Sequence, residues 1–148
     1  MADHLRKQIR TAAVAALTGL GTTGSRVYVS RAHPMQDANL PGLRIYTRSE
    51  EVEIASMGVG RVRERRLELV VEACVKANSA YDDTLDQIQK EVEIALDANQ
   101  GLGGISKYVE PRSFEDAFEG EGEKVVAMKR MAFEVLYYTA QGAPDVAL

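Results

Sequence analysis

The residues of this chain that could do chemistry are few and scattered. The two histidines, His4 and His33, lack a His, Cys or carboxylate partner at metal-ligand spacing such as HxxxH or CxxC. Both are therefore expected as solvated surface side chains. Ser, Asp and His all occur, but no nucleophile elbow or comparable framework places them, and no catalytic residue is expected. Gly101-Leu102-Gly103-Gly104 follows a predicted helix and lacks a Lys-Ser/Thr ending, so it is no phosphate loop, and Gly58-Val59-Gly60 is equally bare. The adjacent carboxylates Asp82 and Asp83 are better explained as first-turn helix residues than as an acid–base pair. The lone Cys74 cannot form an internal disulfide and reads as a small buried residue. No metal or cofactor is expected.

Three features point instead to another protein surface. Arg61, Arg63, Arg65 and Arg66 cluster in a Gly-containing stretch, and Glu115, Asp116, Glu119, Glu121 and Glu123 cluster in a second one. Each alone reads as a solvated segment. Together, on one subunit, they could meet on adjacent copies, and head-to-tail contacts of that kind close into rings when the rotation permits. Ile94 lies nearly opposite the core stripe of its helix, where an apolar side chain has no partner in its own chain. These residues form the expected subunit interface. Apolar contacts, Ile94 or Met57 among them, would supply most of its stability, with the charges setting register.

The elements that must position these residues follow from periodicity. Residues 81–97 form the clearest helix, with Leu85, Ile88, Val92, Ala95 and Leu96 on one stripe, an Asp86–Lys90 pair at i,i+4, and Asn99-Gln100-Gly101 as a stop. A first helix runs to about Leu17 from a cap at Asp3, with Leu5, Ile9, Ala12, Ala16 and Leu20 as its stripe. Short strands are expected at 26–30 and 43–47, the second with a possible extension over 50–54. Leu67, Leu69, Val71, Ala73 and Val75 alternate onto one face of a long strand, as do Met131, Phe133, Val135 and Tyr137 within 125–139. A shorter strand at 105–109 ends at Pro111, an acidic loop follows, and residues 140–148 are expected as a flexible tail. Helices and strands do not alternate strictly. The order predicts a single α+β domain over 1–148, a largely antiparallel sheet with two helices packed on one face; assembling into a ring is the expectation that the two charge clusters add.

Whole-chain properties are compatible with this. A chain of 148 residues suits one domain and buries about 68–70% of its unfolded surface without a staple. A net charge of −4 argues mildly against a general nucleic-acid binder. The basic, then Ala-rich N-terminus has the outline of a signal peptide, but its apolar stretch is short and carries a helical stripe. No run approaches the ~18 apolar residues of a membrane span. Synthesis in the cytoplasm is expected.

In order and spacing of parts, the chain resembles the tail terminator, or tail completion, proteins of long-tailed lambda-like phages and related phage-derived particles. The parts are a short N-terminal helix, Arg26-Val27-Tyr28, Leu40-Pro41-Gly42-Leu43-Arg44-Ile45-Tyr46-Thr47, and the strand beginning Arg66-Leu67-Glu68-Leu69. The acidic-started helix at Asp82, Leu102-Gly103-Gly104, Glu121-Gly122-Glu123 and the strand Met131 to Thr139 complete the series. The resemblance implies a non-enzymatic structural protein of the virion tail, made in the host cytoplasm. It implies a ring, a hexamer, that caps the tail tube, stops its polymerisation and meets the head connector, with DNA only passing through the lumen and no membrane. Its partners would be itself, the tail tube protein and the connector or neck protein. Two alternatives stand beside it: a neck or head-completion protein of the same kind of particle, and a small enzyme with an unrecognised site.

Overall fold

The computed structural model describes residues 2–32, 34–120 and 125–148. In chain order the elements are α1 (Leu5–Leu17), β1 (Val27–Tyr28), β2 (Gly42–Ile54), β3 (Val62–Lys76), α2 (Tyr81–Asp97), β4 (Tyr108–Glu119) and β5 (Val126–Ala140). They build one five-stranded sheet in the order β1-β2-β3-β5-β4. Only β1 runs parallel to its neighbour β2; every other pairing is antiparallel. After β3, α2 carries the chain past one strand position to the far edge. There β4 forms, and β5 folds back into the gap. The fold is the expected α+β domain, with both helices on one face.

That face is the core. α1 contributes Leu5, Ile9, Ala13 and Leu17, and α2 contributes Leu85, Ile88, Val92 and Leu96. Beneath them lie Leu43 and Ile45 of β2, the alternating series Leu67 to Val75 of β3, and Met131, Phe133, Val135 and Tyr137 of β5. Burying each large aliphatic side chain is worth about 1.5–3 kcal/mol. The α1 stripe repeats every four residues; Ala12 and Leu20 only flank it, and Ala13 and Leu17 take the centre. Its cap is His4, whose Nδ1 accepts the Arg6 N–H at 3.1 Å, while Asp3 pairs with Lys7. At the end of α2, the Gln100 side chain bonds both ways to Val109, donating to its carbonyl and accepting from its N–H, each at 2.9 Å. A side-chain amide thus substitutes for one rung of a ladder and fixes α2 to the start of β4.

Among the described residues the other face carries no α-helix, and charge pairing there stands beside a small apolar cluster. Glu72 is buried between Arg44 at 3.2 Å and Arg130 at 3.1 Å. Beside this triad, Met35 and Leu40 from the segment before β2 cover Cys74, Val126 and Met128. Gly42 is required where that segment enters β2, since a Cβ there would lie 2.2 Å from the Asn39 carbonyl oxygen.

Two expectations need correction. The arginine-rich stretch 61–66 is mostly strand, because β3 begins at Val62 and pairs with both β2 and β5. The 105–109 strand does not stop at Pro111. β4 runs on to Glu119, with an irregularity between Pro111 and Ser113; the strand is at the sheet edge, where a missing N–H costs no ladder bond. Within 140–148, the Leu5 N–H bonds the Pro144 carbonyl, the Leu148 N–H bonds the Tyr138 carbonyl, and Ala147 packs on the core.

Candidate assembly interface

β2 and β3 outrun the body of the domain. Residues 42–46 of β2 are buried, whereas 51–60 are all exposed. The strands continue as a paired arm, Glu50↔Leu67 out to Ile54↔Arg63, closed by a tip at 55–61. Gly58 at φ +101° and Gly60 at φ +72° allow the reversal. The base of the arm is fastened on the helix-bearing face. Arg65 there bonds Glu50 at 3.3 Å and the Thr139 hydroxyl at 2.9 Å, and the Tyr137 hydroxyl donates to Glu50. Burial and that bond to Glu50 hold the Tyr137 hydroxyl well above the ordinary tyrosine pKa. Beyond the base, Val52, Ile54, Met57 and Val59 stand in solvent, Met57 at 79% exposure.

The expected interface arginines therefore separate into two kinds. Arg65 is buried and its charge is met inside the chain. Arg66 lies on the opposite face, 2.9 Å from Glu64 and 3.8 Å from Glu53. Arg61 and Arg63, at the outer end, form no ion pair with the described residues.

The acidic cluster lies on β4 and separates likewise. Glu119 reaches Arg44 at 3.0 Å. Asp116 shares Lys129 with Asp86; Lys129 is 3.8 Å from the first and 2.7 Å from the second, so Asp86 pairs across to β5 rather than along its helix to Lys90. One cation between two carboxylates leaves a net negative charge. Glu115 is exposed and has no ion pair among the described residues. Glu121 and Glu123, like His33, lie outside the described residues. Ile94 is 60% exposed on α2, amid Asp86, Gln89, Lys90 and Glu93.

Sequence reasoning missed the aromatic half of this surface. Phe114 and Phe118 lie on the helix-bearing face of β4, opposite Met131 and Ala127. Phe114 meets Phe133 edge-on, and Phe118 meets Tyr81. Phe118 nonetheless remains 59% exposed. The signal was the alternation of Phe114, Asp116 and Phe118, obscured by the acidic residues between them. Among the described residues no strand lies outside β4, so its outer edge has no strand partner there.

A pocket-like depression of about 220 Å³ on the helix-free face is lined by charges already committed to each other, Arg48 with Glu68 and Arg112 with Glu134. Burial raises the proton affinity of Glu134, but hydrogen bonds from Tyr108 and Arg112 outweigh it and hold its pKa below the ordinary glutamate value. Among the described residues no three His, Cys, Asp or Glu side chains converge as a metal site. Among the described residues no helix is long and apolar enough to cross a membrane.

No protein-family model matches the chain. No curated protein matches it either. Among solved structures, the chain is similar to one from the virion of a native gene transfer agent particle, at 17% identity and a TM-score of 0.43, over 90% of this chain and 91% of that one.

Proposed function

We propose that this chain is a structural virion protein of the tail terminator kind: a ring-forming subunit that caps a tail tube, stops tube polymerisation and offers its other face to the head connector. One observation carries the reading. The large apolar side chains left in solvent stand mainly on a projecting arm and on an unpaired sheet edge, surfaces suited to other folded chains rather than to a small substrate. The order of parts along the chain, which resembles that family, supplies the tail-end role. DNA passes only through the lumen of the ring.

The test is electron microscopy of purified chain mixed with tail tubes and, separately, with head connectors. Density capping the tube end, with tube growth arrested, is the expected result. Binding to connectors alone, with tubes still growing, would make the chain a neck or head-completion protein.

A further inference from the structure

We infer that the β2–β3 arm of one copy docks on the outer edge of β4 of a second copy. The inference rests on the ring-forming reading above, but not on what the ring caps.

The two surfaces match in chemistry. Within the arm tip, residues 55–63 carry Arg61 and Arg63 and no acidic side chain. β4 carries Glu110, Glu115, Asp116 and Glu119 against Arg112 alone. Val52 and Ile54 share the helix-bearing side of the sheet with Arg63, because they pair with Arg65 and Arg63. Phe114 and Phe118 share that same side with Asp116, because they pair with Met131 and Ala127, two positions either side of its partner Lys129. Each surface is thus an apolar pair beside a charge, with opposite charges on the two. β4 also presents unpaired backbone groups, which a second strand could use.

The two surfaces cannot meet within one chain. Arg63 pairs with Thr139 near the end of β5, whereas Asp116 pairs with Lys129 near its start. Ten residues of strand separate those levels, about 33 Å at the usual rise. The surfaces also lie on opposite flanks, the arm beyond β5 on the β3 side and β4 on the other. Contact is therefore between copies, and in the ring-forming reading each copy gives its arm to one neighbour and its edge to the other. That arrangement propagates around a ring.

The test uses the full chain with cysteines introduced at the two surfaces. Ile54→Cys and Phe114→Cys are made separately and together, and treated with a short bis-maleimide; Cys74 is buried and stays silent. The two single variants mixed should cross-link one to the other, and neither alone should. The double variant should give a ladder of multimers; a product that stops at dimers would mean a reciprocal two-fold exchange and would overturn the ring arrangement. Cross-linking of the Ile54→Cys chain to itself would mean a two-fold contact and would overturn the inference. So would light scattering that shows a monomer at every concentration; tube capping by that monomer would still uphold the terminator reading.

Charge gives a second arm to the experiment. Arg61→Glu with Arg63→Glu should weaken self-association about tenfold at low salt, the scale of two exposed ion pairs. Adding Asp116→Lys, at the carboxylate that shares that side of β4 with Phe114 and Phe118, should recover part of it. Full loss with no recovery would mean that the arginines face something other than β4.

Discussion

The same strand, β2, behaves differently in its two halves. From Gly42 to Tyr46 every residue is buried, under α1 on one side and beside the Glu72 ion triad on the other. From Glu51 to Ile54 every residue is exposed, although the pairing with β3 continues. The backbone ladder, helped by ion pairs of Arg65 and Arg66 with Glu50, Glu53 and Glu64, thus carries the arm outward without helix cover. The body retains its apolar residues because folding needs them. The arm retains Val52, Ile54, Met57 and Val59 where folding of the single chain gains little from them. Apolar content in the body therefore measures stability, and in the reading proposed above apolar content in the arm measures association.

Substitutions can break this contrast from the body side first. Val92 is fully buried on the core side of α2. Val92→Asp places an unpaired carboxylate there and should cost more than about 4 kcal/mol. Little soluble folded protein is expected, and a thermal melt like that of the parent would mean that the helix buries another face. Next in size is the helix-free face. Glu72→Ala leaves the guanidiniums of Arg44 and Arg130 without their shared carboxylate, and should cost about 3–5 kcal/mol in a urea titration.

Acid should act more gently on the same body. Burial tends to raise the pKa of Glu91, but hydrogen bonds from the Thr22 hydroxyl and backbone and from Gln87 outweigh it, so the folded value lies below the ordinary one. Glu134 is lowered as well. A lowered folded pKa means that the unfolded chain binds the proton more tightly. The stability these groups supply is complete above the ordinary glutamate value of about 4.3 and is lost as pH falls below it through the folded values. Melting temperatures measured across that range should fall, and Glu91→Gln should flatten part of the slope.

The smallest expected effect on folding is the one that sharpens the contrast most. Ile54→Ser with Val59→Ser should change the stability of the dilute chain by less than about 0.5 kcal/mol per site. The same pair should abolish higher-order species in light scattering. Ile94→Asp belongs to this class: it should fold normally, and any loss of assembly would add α2 to the interface.

Much of the body was legible in the sequence. The α2 periodicity located Tyr81–Asp97 in full, and the alternation in 67–75 and 131–137 identified the two central strands. Those segments obey a single period because one face of each meets one core. The edge was less legible. Pro111 and the run of carboxylates disguised β4, since an edge strand faces solvent on one flank and tolerates residues that a central strand excludes. The charge clusters were visible, but not their division. Whether an arginine is met inside the chain, as Arg65 is, or left at a tip, as Arg61 and Arg63 are, depends on cross-strand register. Local spacing carries no information about that. The Arg44–Glu72–Arg130 triad is hidden for the same reason, its members lying far apart in the chain.

The cover that Met35 and Leu40 place over Cys74 gives the molecule a kinetic reporter. Burial pushes the thiol up to about 12, with Arg44 opposing and Glu72 and Glu119 assisting, so almost no thiolate exists at neutral pH. A thiol reagent can therefore react only during excursions in which residues 34–41 lift away. Under conditions where reclosing outruns the reagent, the labelling rate becomes an equilibrium constant for that excursion. Rates well above those set by global unfolding would identify this flap as a separately opening unit. Rates equal to them would mean that the flap and the central strands open together.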